Sequence, residues 1–241
     1  MDILEEEFVR IANDLIDAAQ DKGITLRAMG AVAVYMHSSP EARELLTSLE
    51  RLGKDKKAFT DLDVAGYSSQ IKQIREFFIS HGFEKERGIS TLTTGRREVF
   101  IDKTRGFAVD IFLDKLSYCH EVPFYKNPRF GEKLDRLKID YPTISLADLM
   151  LEKLQIIEIN KKDLVDINVL LFGHEISDHE EKDKINAAYI KHRWDKDKGF
   201  YKDGMINLEK TRQYLDITDI DKNYKDLINE RRNKLIEIVK N

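Results

Sequence analysis

Apolar positions recur at helical spacing at the start of the chain. Leu4, Phe8, Ile11, Leu15 and Ala19 fall on one face, which predicts a helix over residues 3–20 with Gly23 as its stop. "ITLRAM" (24–29) reads as a short strand, and "GAVAVYMH" as one or two buried helical turns opening on two small residues. "SSPEARELLTSLERLG" reads as a further helix, capped by Ser39, with Pro40 in its first position and Gly53 at its end. After the polar link "KDKKAF", "TDLDVAGY" reads as a strand, and "SQIKQIREFFISHGF" as an amphipathic helix ending near Gly82. From 88 to 114 the period falls to two. There "ISTLTT", "REVFIDK" and "FAVDIFL" predict an antiparallel meander with turns at Thr94-Gly95 and Arg105-Gly106. "SLADLMLEKLQIIEIN" (145–160) and "KKDLVDINVLLF" predict two helices. Beyond about residue 175 the chain turns polar. "HRWDKDKGFYKDG" reads as a loop or a broken helix, and "LEKTRQYLD" and "DLINERRNKLIEIVK" as helices.

The order is helix, strand, helices, strand, helix, hairpin, helices. It predicts an α/β (α+β) fold: a short mixed β-sheet flanked by helices, with a helical C-terminal region. The expected division is a sheet-bearing domain over 1–175 and a helical extension over 176–241. The 241 residues are 41% hydrophobic and 9% aromatic, enough for a core rather than a disordered chain. A net charge of −4 provides no global basic field for nucleic acid or anionic lipid. One cysteine, Cys119, excludes an internal disulfide and fits a reducing compartment. The acidic, amphipathic start "MDILEEEFVRIANDL" is unlike a signal peptide, and no apolar run approaches the ~20 residues of a membrane span. The expectation is a cytoplasmic protein with no membrane partner.

The chemistry concentrates in "TDLDVAGY". Side chains alternate faces along a strand, so Asp61 and Asp63 share one face while Leu62 and Val64 point into the other. Two adjacent carboxylates repel unless a cation lies between them, so this face is either solvated or built to hold one. A third carboxylate, Asp110, sits between Val109 and Ile111 in "FAVDIFLDK" and needs a partner if buried. On neighbouring strands the three would converge, and hard divalent cations such as Mg²⁺ take oxygen ligands of this kind. Gly30-Ala31, at a strand-to-helix turn, serves either tight packing or the approach of a phosphate to exposed backbone N–H groups.

In this order the pieces (strand, Gly-small, helix, D-h-D, later h-D-h, where h is apolar) resemble the nucleotidyltransferase superfamily, most of all its minimal and AbiEii-like branches. The resemblance covers roughly residues 24–172, with "AVDIF", "LADLMLEKLQ" and "KKDLVDI" contributing. It implies a nucleotidyltransferase-like fold and transfer of a nucleoside monophosphate from an NTP to a hydroxyl or similar acceptor, with release of pyrophosphate. Asp61, Asp63 and Asp110 would hold two Mg²⁺ ions, with Asp110 also activating the acceptor, and Gly30 and Ala31 would lie against the triphosphate. Lys57, four residues before Asp61, stands where an Arg is common in relatives and either steers phosphate or is linker charge alone. Lys153 would contact nucleotide phosphates. Two departures are evident: Ala31 replaces the usual Gly or Ser, and the spacer from Gly30 to Asp61 is long.

Other residues carry alternatives. Lys153 falls in an apolar stripe with Leu146, Met150 and Ile157, and there it either snorkels outward or meets an anion. Asp163 and Asp166 either favour the helix dipole at its N-terminus or touch acceptor or metal. His37 either approaches the nucleotide from the helix after Gly30 or, the preferred reading, is a core histidine. Cys119 and His120 have no second pair at zinc-ligand spacing. Trp194, Phe200 and Tyr201, interleaved with Lys and Arg, either stack bases or belong to a solvated loop. Three functions follow: a small-molecule nucleotidyltransferase; a toxin-like one acting on tRNA or protein, with RNA disfavoured by the net charge; and a non-catalytic nucleotide-binding or interaction module with a protein partner.

Overall fold

A computed structural model of the chain describes residues 5–49, 51, 59–86, 96–125 and 135–241. The first half runs α1 (Glu5–Asp21), β1 (Leu26–Ala28), α2 (Gly30–His37), α3 (Pro40–Ser48), β2 (Asp61–Gly66), α4 (Ile71–Ser80), β3 (Glu84–Lys85), β4 (Arg97–Asp102) and β5 (Phe107–Leu113). The second half runs β6 (Lys115–Ser117), β7 (Glu121–Pro123), α5 (Leu146–Leu154), α6 (Lys161–Gly173), β8 (Glu175–Ser177), β9 (Lys184–Asn186), α7 (Ala187–Lys196), α8 (Lys198–Ile217) and α9 (Lys222–Lys240). The fold is mixed α/β, a mixed five-stranded sheet flanked by helices and followed by a helical C-terminal region. No described helix is long and apolar enough to cross a membrane. Gly53 and the strand expected at "ISTLTT" lie outside the described residues.

Two compact units share the chain. The first holds Met1–Met36, Lys57–Leu116 and Pro123–Ser145; the second holds His37–Lys56, Ser117–Val122 and Leu146–Asn241. No unit boundary falls at residue 175, because α5 and α6 group with the C-terminal helices. The reason is visible in α6. Val165, Ile167, Val169, Leu170 and Leu171 are buried all round it, and so are its polar Asp163, Asp166 and Asn168, so it is surrounded. It packs against α3, α5, α8 and α9.

The first unit is built on the sheet, in the order β1-β2-β5-β4-β3. β2 and β5 are parallel, and every other neighbouring pair in the sheet is antiparallel. Alternation sorts the two faces. Leu62, Val64, Phe100, Val109, Ile111 and Leu113 share one face and are at most 1% exposed. Burying each such side chain contributes about 1.5–3 kcal/mol. From α1, Phe8 meets Phe107 edge-on at 5.1 Å, and from α4, Phe78 stacks on Phe100 at 4.8 Å. Glu98 also points to this face, fully buried, and is met by Arg75 of α4 and Lys85 of β3, both at 2.6 Å. The opposite face carries Asp61, Asp63 and Asp110.

Candidate metal centre

The site starts from register. β2 and β5 run parallel with Asp63 directly beside Asp110 and Asp61 beside Ala108. The period of two along β2 then places all three carboxylates on one face. One oxygen from each lies within 4.8 Å of the others. Exposure is graded, from Asp61 at the open strand end through half-buried Asp63 to buried Asp110. Thr60 Oγ1 donates to Asp61 Oδ1 at 3.0 Å. Three hard oxygen donors at this spacing fit a small divalent cation, which commonly binds through carboxylates and keeps part of its water.

Gly30 explains itself at this point. It opens α2 with φ +66°, in the left-handed region, and a Cβ there would lie 2.8 Å from Asp63 Oδ2. Met29 N–H donates to the Asp63 carbonyl at 2.9 Å, pinning the start of α2 to β2. The missing side chain therefore makes room for a carboxylate at the helix start, where the backbone dipole favours negative charge. Ala31 follows, half-buried.

One residue of the site was not anticipated. Arg97, at the start of β4, donates from Nε to Asp110 Oδ1 at 3.0 Å and from Nη2 to Oδ2 at 2.8 Å. This is the planar two-point pairing that guanidinium and carboxylate favour. It holds Arg97 above its ordinary pKa, first through the hydrogen bond to Asp110, with Asp63 and Asp61 adding to it. The guanidinium also lies 5.4 Å from the Phe112 ring centre. The signal for it was present in the hairpin. A turn over 103–106 sets Asp102 opposite Phe107 and Arg97 opposite Phe112, two residues beyond Asp110 on the same face.

The remaining candidates lie elsewhere. Lys57 is outside the described residues. Lys153 belongs to the second unit, where its side chain is 7% exposed and does not snorkel. It meets anions of the chain itself: Asp166 at 3.1 Å, Glu152 at 3.2 Å and Asp163 at 3.4 Å. Arg51 adds a two-point pairing with Asp166. Burial alone would lower the Lys153 pKa, but Glu152, Asp166 and Asp163 outweigh it and raise it. Asp163 and Asp166 are therefore the counter-charges of this cluster. His37 packs edge-on to His174 at 5.7 Å. His120 is held between Asp197 at Nδ1 (3.0 Å) and Asp203 at Nε2 (2.9 Å) and stacks on Phe200. Trp194 and Phe200, 1% exposed, are core residues, which removes them as base-stacking platforms. The segment they occupy is helical rather than a solvated loop. Asp197 breaks it, ending α7 and capping α8 through the Phe200 N–H.

No protein-family model matches the chain, and no curated protein matches it.

Proposed function

We propose that the protein is a nucleotidyltransferase that moves a nucleoside monophosphate from an NTP to a hydroxyl or similar acceptor. The reading is carried by Asp61, Asp63 and Asp110 meeting on one sheet face beside the start of α2. Bound Mg²⁺, two ions in this reading, would supply charge neutralisation for the triphosphate and a lowered pKa for the acceptor hydroxyl. Asp61 and Asp63 would hold that charge at the open end of β2, and Asp110 would complete the ligand set and receive the acceptor proton. The acceptor oxygen bonds to the α-phosphorus, the bond from that phosphorus to the α,β-bridging oxygen breaks, and pyrophosphate leaves. Gly30 gives its open side to Asp63, so in this reading phosphate oxygens would approach the first turn of α2 past small, half-buried Ala31. Lys153, matched by carboxylates of its own unit, has no part in this reading.

A small-molecule acceptor is favoured over tRNA by the net charge of −4. The second reading is a non-catalytic nucleotide-binding or interaction module of the same fold. One observation favours it: Arg97 engages both oxygens of Asp110.

A thermal-shift titration with each NTP, with and without Mg²⁺, tests the proposal on wild type and on the Asp61→Asn/Asp63→Asn double variant. Ligand at one hundred times its Kd stabilises the native state by about 2.7 kcal/mol. The expected result is a Mg²⁺-dependent shift with at least one NTP, absent from the double variant. No shift with any NTP in wild type rejects the transferase and favours the non-catalytic module.

A further inference from the structure

Arg97 poses a problem for any cation at the triad. Its fork takes both oxygens of Asp110, the most buried of the three carboxylates. A guanidinium in that position neutralises one of the three negative charges. A divalent ion drawing on Asp110 would meet the guanidinium at close range, and like charges at such distances repel strongly where solvent is partly excluded. The side chain is not enclosed. It is 40% exposed, against 11% for the Asp110 side chain, and it stands on the first residue of β4. Moving it therefore requires little new desolvation and no change in the strand. A planar guanidinium that leaves a carboxylate is also suited to two-point capture of a phosphate.

We propose that Arg97 is the resident stand-in for the metal ion: it caps Asp110 until a divalent cation arrives, then turns its charge to the phosphates of the bound nucleoside triphosphate. This rests on the transferase reading of the triad and assigns Arg97 as the residue that couples metal loading to nucleotide binding. In the cation-free protein Arg97 offsets the repulsion among the three aspartates. With the cation in place, the same arginine recognises the substrate's negative charge.

The test is Mn²⁺ binding to the full chain, read as loss of the free Mn²⁺ electron paramagnetic resonance signal. Wild type, Arg97→Met and Arg97→Lys are compared, with circular dichroism to check folding. Arg97→Lys keeps a charge but loses the fork, and it carries the comparison if Arg97→Met fails to fold. The expected order is Met tightest, Lys intermediate and wild type weakest, with about tenfold between the extremes, the size of one partly exposed charge interaction. In saturating Mn²⁺ the order reverses for the four ribonucleoside triphosphates, and Arg97→Met binds them about tenfold more weakly. Wild type binding Mn²⁺ as tightly as the variants, or more tightly, overturns the stand-in role while leaving the transferase reading intact. Unchanged triphosphate affinity in Arg97→Met overturns the phosphate role. Absence of Mn²⁺ binding in all three proteins overturns both the inference and the reading beneath it.

Discussion

Asp61, Asp63 and Asp110 were legible from sequence because their arrangement needs only the two-residue period of a strand and one neighbouring pair. Gly30 was legible as a small residue at a turn, but the reason it is glycine was not. Its φ is +66°, and a Cβ there would lie 2.8 Å from Asp63 Oδ2, on β2 some thirty positions along the chain. Gly30→Ala is accordingly expected to lose about 1–2 kcal/mol, from the left-handed backbone and the displaced carboxylate. Urea unfolding followed by circular dichroism measures it. A loss of only a few tenths would mean that Asp63 moves aside freely and that the close approach has no structural weight.

At the scale of elements, α1, β1, α2, β2, β4 and β5 lie within a few residues of their expected positions, and Ser39 caps α3 as its pattern foretold. α5 is the instructive miss. The apolar pattern continues to residue 160, yet the helix stops at Leu154. Asn207 of α8, 1% exposed, donates from Nδ2 to the carbonyls of Leu154 at 3.0 Å and Ile156 at 2.7 Å, satisfying the chain end of α5. Asn160 then caps α6 by accepting from the N–H groups of Lys162 and Asp163. Asn207→Ala removes the partner of the buried Leu154 carbonyl and of the part-buried Ile156 carbonyl, and is expected to cost about 1–3 kcal/mol. The loss should appear in the denaturation midpoint. Asn207→Asp should fare no better, since a carboxylate has nothing to donate. A neutral Asn207→Ala would show that another group ends the helix.

For the molecule as a whole, the buried charges of the second unit set a pH limit. Burial alone would raise the Asp166 pKa, but Lys153 and Arg51 outweigh it and hold the carboxyl below its ordinary value. A carboxyl depressed in the folded state contributes stability above its unfolded pKa, and loses it as pH falls through the folded one. Stability is therefore expected to be level through neutral pH and to fall below about pH 4. Asp166→Asn removes the common partner of two cations and should cost about 3–5 kcal/mol at pH 7. Its stability should also fall less steeply in acid than wild type. Urea titrations of both proteins at pH 7 and pH 3 measure the two effects, and parallel acid curves would remove Asp166 as a contributor.

By itself the sequence determined the fold class, most of the element positions and the placing of Asp61, Asp63 and Asp110 on one sheet face, because each follows from a local period or a short motif. Tertiary structure alone decided the rest. Arg97 reaches Asp110 through hairpin register, and Lys153 is neutralised by residues of a neighbouring helix. α5 ends where a side chain more than fifty positions later supplies its hydrogen bonds. The physical reason is common to all three. A side chain's charge and donors are encoded locally, but the group that satisfies them is chosen by packing between segments far apart along the chain.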